Sequence, residues 1–303
     1  MPAPRRDASL MQLAARACPI CASDHYTLFS DSKIDRNALG DFAFASRKMP
    51  EFMHYRLVKC TTCALVYANP APDISFLQEN YQASSFDSSN EAAYAAKTYA
   101  GYLPETDKGK VLDIGSGGGE FLSELQQAGW TEFEGIEPSG AALATARDDI
   151  KRYIRHGMFD AAHHQDNSYA LVSCFQTLEH VRDPLAMSKA IYTLLKKGGM
   201  YYSISHNIDG RLNGVLGESS PIYDIEHLQL FSPASLRFML ETAGFSDICI
   251  FSVWNRYPLH YWVKLLPLPV TFKKKFMAFL KVIGIGYIPV ALPVGNMAAV
   301  ARK

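Results

Sequence analysis

With 303 residues, 48% of them apolar and 20% charged, the chain is long enough for one large globular domain or two modest ones and is far from a disordered composition. Thirty basic side chains balance thirty acidic ones, so the positive excess usual for a chain that lives on nucleic acid or anionic lipid is not present, and a small-molecule partner is expected.

Arg5 and Arg6 open the chain, but the run behind them is short and broken by Gln12 and Arg16, so no secretory signal is expected and the cytoplasm is the expected compartment. Residues 18–72 read as short strands and turns. They hold two CxxC pairs, Cys18 with Cys21 and Cys60 with Cys63, separated by 38 residues. In a reducing compartment such pairs point to metal rather than disulfides, and four thiolates form the soft, closed tetrahedral set that suits zinc. The plainer alternative is four ordinary buried cysteines. A closed shell leaves no open coordination position, so the zinc is assigned to folding rather than chemistry.

Residues 74–103 carry helical apolar spacing at Ile74, Leu77, Tyr81, Tyr94 and Tyr99, ended by Gly101, Pro104 and Gly109. Beyond Gly109, short apolar runs at 111–114, 133–136, 153–154, 170–174, 200–204, 248–253 and 297–301 alternate with helical patterns. That alternation predicts an α/β fold, a Rossmann-like, mostly parallel seven-stranded sheet with helices on both faces, behind a small N-terminal zinc-binding domain. The expected division is a zinc-binding module at 1–75, a helical linker or cover at 76–108, and the α/β domain at 109–303 with an inserted segment at 254–295. The uncharged stretch 282–301 contains Pro289, Pro293, Gly284, Gly286, Gly295 and Asn296, and reads as turns and a strand rather than a membrane span.

At the end of the first α/β strand, Asp113-Ile114-Gly115-Ser116-Gly117-Gly118-Gly119 runs into a helix with apolar Phe121, Leu122 and Leu125. Without Cβ atoms such a turn lets a cofactor touch the backbone. A dinucleotide fingerprint would need a small residue at position 120, where Glu120 stands. The spacing of Asp113, Gly115, Gly117 and Gly119 instead resembles the first motif of class I S-adenosylmethionine-dependent methyltransferases. Glu137, in Gly135-Ile136-Glu137-Pro138-Ser139, lies 22 residues after Gly115, where a carboxylate accepts both ribose hydroxyls. The segment from Tyr169 through Glu179-His180-Val181 resembles the family's fourth strand and following helix, Leu194-Leu195-Lys196-Lys197-Gly198-Gly199 its turn before strand five, and Glu226-His227-Leu228-Gln229-Leu230-Phe231-Ser232 a further family segment. The resemblance covers about residues 109–253. It implies S-adenosylmethionine held by Asp113, Gly115, Ser116, Gly117, Gly119, Glu137 and Pro138, with Met158 standing where many members carry an acid for the adenine. Phe159, Asp160 or backbone groups are the alternatives there, and Gln176 is placed on the cofactor side.

Cys18-Pro19-Ile20-Cys21 and the stretch 58–70 resemble the zinc-binding N-terminal domain of many sugar and natural-product methyltransferases. In the sugar C-methyltransferases that domain helps close the substrate pocket and a tyrosine just after it reaches the active site, a place for which Tyr81 is the nearest match. Tyr81 is equally a core aromatic on a helix face. His227 and Glu226 match the family's base and assisting acid, and His180 a pocket-lining histidine. The sugar enzymes carry a tyrosine two residues before the glutamate; here Asp224 stands there and Tyr223 lies one residue earlier. Residues 208–225 read as a mobile lid. The stretch 254–281, with Lys273, Lys274 and Lys275, reads as a solvated lysine cluster on a helical hairpin, in preference to an interfacial membrane helix.

The resulting expectation is in-line methyl transfer, with a His/Glu base, to a small polar acceptor: a nucleotide sugar, a polysaccharide or a natural-product intermediate. The alternatives are an RNA methyltransferase with a zinc ribbon, which the neutral charge and the Gln176-Thr177-Leu178-Glu179 sequence disfavour, and a non-catalytic cofactor-binding scaffold.

Overall fold

The computed structural model describes residues 12–35, 48–82 and 89–303; the Arg5-Arg6 opening lies outside the described residues. Strand β1 (Leu13–Ala14) pairs antiparallel with β5 (Ala71–Pro72), and between them β2 (Tyr26–Ser30), β3 (Leu57–Cys60) and β4 (Val66–Ala68) form an antiparallel meander. Helices α1 (Ile74–Gln82) and α2 (Ser89–Tyr102) follow, and Tyr99 and Ala95 of α2 bury against the main sheet's core.

The α/β part begins with β6 (Val111–Ile114), whose side chains are buried on both faces, as expected for a strand covered on each side by helices. It continues through α3 (Glu120–Gln127), β7 (Phe133–Glu137), α4 (Gly140–Leu143), α5 (Asp148–Lys151), β8 (Ile154–His156) and β9 (Tyr169–Phe175). The expected helix directly after β9 is a turn: residues 176–181 are non-helical, and α6 (Pro184–Leu194) starts where the Asp183 carboxylate accepts from the Ala186 amide at 2.8 Å, with Pro184 in the first turn. Then come β10 (Leu195–His206), α7 (Arg211–Leu216), β11 (Gln229–Leu230), α8 (Pro233–Thr242, capped by Ser232), β12 (Ser246–Pro258), α9 (Leu259–Leu265), α10 (Val270–Val282) and β13 (Pro289–Arg302).

The seven-stranded sheet has the order β12-β13-β10-β9-β6-β7-β8, in which β8, β7, β6, β9 and β10 run parallel and β13 runs antiparallel to both neighbours. The strand order reverses between β6 and β9, so a ligand crevice opens beyond their carboxyl ends. The N-terminal sheet is not closed by its own residues: its order is β11-β4-β3-β2, with Gln229 opposite Tyr67. Arg16 stitches the same seam, its guanidinium donating to the carbonyls of Ala68, Arg182 and Leu228 at 3.0, 3.0 and 2.8 Å. Cys18, Ile20, Leu65 and Tyr67 accordingly share one buried cluster with Val172, Leu236 and Met239.

Two expectations are corrected here. Residues 208–225 are not a loose lid: α7 is anchored by Asn213, which donates to the Asn207 carbonyl at 2.7 Å and accepts from Ser220 Oγ at 2.7 Å. The three lysines of α10 are not all solvated either, because Lys273 is 1% exposed and donates to the Lys264 carbonyl at 3.1 Å, while Lys274 and Lys275 face water. Helix phase decides this: three consecutive residues point in three directions about 100° apart. Among the described residues no helix is long and apolar enough to cross a membrane.

Candidate functional site

A cavity of about 1090 Å³ lies at the carboxyl ends of the parallel strands and is walled by β6, β7, β9 and β10 residues, α1, α2, the turn before β11 and the N-terminal module. Its first half is main chain. After β6, Gly115 has φ +77°, and a Cβ there would sit 2.5 Å from Thr177 Oγ1; Gly119, at φ +76°, would meet Ile150 at 2.5 Å. Both positions require glycine for steric reasons within the protein, while Gly117 lines the cavity and would meet only Glu120 Oε2, at 3.4 Å. Glu137 closes this half: its Oε2 accepts from the Gly117 amide at 2.8 Å and its Oε1 from the Ser139 amide at 2.7 Å. Each oxygen keeps a lone pair for a ribose hydroxyl. Burial raises the Glu137 carboxyl above its usual range, against the pull of the two amides. Asp113, accepting from Ser173 Oγ at 2.7 Å, is pushed by burial up to about 7.

The residues present fit an adenosyl ligand. Ser116 Oγ is buried on the cavity wall with no hydrogen-bond partner among the described residues, as a hydroxyl set for a polar ligand would be. Pro138, Met158, Phe159 and Asp160 continue the wall. Asp160 is engaged locally, accepting from the Ala162 amide at 3.0 Å, and the apolar Met158 and Phe159 stand beside it on the wall. Gln176 holds a left-handed backbone at φ +49° at the end of β9, its main-chain N–H donating to the Ile204 carbonyl at 2.7 Å, and lines the cavity.

The second half is made of side chains. His227 Nδ1 donates to the Ile222 carbonyl at 2.7 Å, which leaves Nε2 as the acceptor nitrogen. Burial lowers the His227 imidazole, with Lys48 adding to the fall and Asp224 opposing it, so the ring is neutral near pH 7. Its ring packs against those of His180 and His206 at centroid distances of 4.9 and 5.0 Å. His180 Nδ1 lies 2.8 Å from Tyr81 Oη and 3.4 Å from Glu226 Oε2. Burial and the two neighbouring histidines hold His180 well below the ordinary imidazole range, and burial with the Glu226 charge holds the Tyr81 phenol well above its own.

The structure thus brings together His227, His180, Tyr81 and Glu226, with one rearrangement: Glu226 serves His180 and Lys48, whose Nζ is 3.5 Å away, rather than His227. Tyr223 is not part of the constellation. It turns into the module's core beside His54, at 5.5 Å between rings, and it is Asp224 that lines the cavity.

Two groups escaped the sequence reading. Lys48, from the N-terminal module, reaches Asp224 Oδ1 at 2.8 Å; burial alone would lower its ammonium, but Asp224, Glu226 and Glu51 outweigh that and raise it. His206 ends β10, its Nδ1 2.9 Å from Asn296 Oδ1, and burial together with the neighbouring His227 imidazole pushes it down to about 3. Its amide donates to Glu179 Oε1 at 2.6 Å. The rule that ligands sit beyond the carboxyl ends of parallel strands would have found His206; nothing local marks Lys48.

Apart from the cavity, Cys18, Cys21, Cys60 and Cys63 place all four sulfurs within 4.8 Å of one another, with Cys18 to Cys63 and Cys21 to Cys60 at 3.4 Å. Sulfurs about 2.3 Å from one tetrahedral zinc lie roughly 3.8 Å apart, so the cluster fits the ion. Both knuckles turn alike: Ala22 and Ala64, each just after the second cysteine of its pair, take φ of 57° and 59°. Ala17 and Pro19 beside Cys18 line the cavity, which couples the cluster to the site.

Comparison with known proteins gives the family. The family described as "Methyltransferase domain" matches residues 86–250. A ubiquinone biosynthesis O-methyltransferase of Idiomarina loihiensis is 30% identical over 154 residues, 46% of this chain and 63% of that protein. One of Acinetobacter baylyi is 27% identical over 169 residues, 51% of this chain and 71% of its own. The chain spans about half to two thirds of the length of such relatives. A solved S-adenosylmethionine-dependent methyltransferase from Archaeoglobus fulgidus is 21% identical, with a TM-score of 0.49 over 76% of this chain and all 100% of that one.

Proposed function

The chain belongs to the methyltransferase-domain family, and from that premise we propose that it moves the methyl group of S-adenosylmethionine to an acceptor hydroxyl of a small polar metabolite, a sugar or natural-product intermediate, with His227 as general base. The observation that carries this reading is the single cavity joining the side-chain-free glycine turn and Glu137 to the free Nε2 of His227. S-adenosylmethionine supplies, when bound, a methyl group on an already electrophilic sulfonium, so the protein's tasks are alignment and deprotonation. Glu137 and the glycine turn hold the adenosyl end. His227, kept neutral by burial, takes the acceptor's proton at Nε2. His180 and Tyr81 hydrogen-bond the acceptor from the side, with Lys48 and Glu226 fixing their orientation. The O-methyltransferase relatives support oxygen as the accepting atom.

We assign zinc to the four cysteines as a folding element that also sets Lys48 and Pro19 against the acceptor. The test is incubation with isotope-labelled S-adenosylmethionine and fractionated metabolites, followed by mass spectrometry. A labelled hydroxyl-bearing product is expected; tight uptake of NAD in calorimetry and none of S-adenosylmethionine overturns the assignment.

A further inference from the structure

β12 and β13 stay paired as far as Pro258 opposite Pro289, whereas β10 ends opposite Asn296, so a two-stranded ribbon carries α9 and α10 past the sheet on the side where the cavity opens. This hairpin buries Tyr261, Trp262, Val263 and Leu280 and still leaves a second apolar face outside. Along α10 the buried side chains are Lys273 and Leu280, while Phe272, Phe276, Phe279 and the following Ile283 are 53%, 37%, 56% and 46% exposed. Steps of four, three and four residues put these side chains on one helical face. Such a contiguous apolar surface marks an interaction site in a folded protein.

Charge is equally one-sided. Residues 248–303 contain no Asp or Glu, and Lys274, Lys275 and Lys281 stand exposed on α10. The whole chain is neutral, so this imbalance is local. An apolar stripe flanked only by ammonium groups complements an anionic lipid interface, where phenylalanines enter the acyl boundary and lysines meet phosphates. The stripe also reaches the cavity, because Leu266 and Leu292 are both exposed and both part of its wall. We propose that the α9–α10 hairpin is a docking surface for an anionic phospholipid bilayer, which sets the mouth of the cavity at headgroup level.

Flotation of the full chain with phosphatidylcholine vesicles, with and without about one third phosphatidylglycerol, tests this. Binding about tenfold stronger to the anionic vesicles, and falling with salt, is expected. The triple variant Phe272→Ser, Phe276→Ser, Phe279→Ser should lose at least about tenfold in binding to either vesicle, and Lys274→Glu with Lys275→Glu should abolish the anionic preference. All five side chains are exposed, so S-adenosylmethionine uptake and the thermal melt should stay as in the wild type. Absence of flotation overturns the proposal, as does flotation unchanged by both variants. A concentration-dependent dimer in light scattering that the phenylalanine variant dissolves, without vesicle binding, assigns the stripe to a second copy of the chain instead.

Discussion

On one side of the cavity the walls are main chain from a short stretch: the turn at 115–119, its helix, and Glu137 at the end of the next strand. On the other side they are side chains drawn from Lys48, Tyr81, His180, His206, Asp224, His227 and Asn296, which span most of the chain. The first half is fixed by backbone geometry, so its residues are replaceable only at a steric penalty. The second is fixed by mutual contacts among buried titratable groups, so each of its members sets the protonation of the next.

If the halves are separate in function as in construction, His227→Ala should reduce kcat/KM by roughly 10² to 10⁴, the usual range for losing a general base, while calorimetric affinity for S-adenosylmethionine stays within about threefold. A smaller rate loss would move the base to another histidine. The converse test is Gly115→Ala. The new Cβ would stand 2.5 Å from Thr177 Oγ1 on a backbone at φ +77°. Where the free turn relaxes out of the ligand-holding geometry to shed strain of about 1–3 kcal/mol, restoring that geometry on binding corresponds to roughly five- to 150-fold weaker binding of S-adenosylmethionine. Adding Thr177→Ala removes the contact but not the strained φ, so recovery should be partial.

The difference between the halves also explains how much was legible in the sequence. Asp113 to Gly119 and the two CxxC pairs are local chemistry, readable because the turn and each cysteine pair are written in neighbouring residues. The seven strands were readable for the same reason, as apolar runs between turns, although β12 and β13 extend well past theirs to carry the hairpin. Tyr223 and Asp224 differ by one position, and only the turn's conformation decides which faces the cavity. Lys48 lies in a segment with no periodic pattern, and it reaches Asp224 across more than a hundred residues through the seam that β11 and Arg16 make between the module and the main sheet. A cluster assembled by tertiary contact leaves no spacing to read.

Removal of zinc should sharpen the same contrast with a smaller effect. Extracting the ion with a chelating dye should release about one zinc per chain, read by absorbance. Because Ala17, Pro19 and Lys48 of the module line the cavity with Arg16, and Lys48 pairs with Asp224 and Glu226 beside the histidines, KM for the acceptor should rise by about tenfold while S-adenosylmethionine affinity changes little. Parallel loss of both affinities would show instead that the module supports the whole sheet.

The smallest expected effect is on pH, and it separates a charge role of Lys48 from a packing role. Beside burial, the ammonium of Lys48 lowers both His227 and His180, and a base role for His227 requires its ring neutral. In the wild type the rate is therefore full above the depressed His227 value and falls as pH drops through it. Lys48→Met removes the depressing charge and frees Asp224, which raises His227, so the acid limb of the kcat/KM profile should move to higher pH. At pH 8 the variant should be nearly as fast as the wild type, and at pH 6 it should be clearly slower. Lys48→Arg, which keeps the charge, should restore the limb. A plateau lowered equally at every pH, with the limb unmoved, would mean that Lys48 only fills space between the module and the turn that carries Glu226.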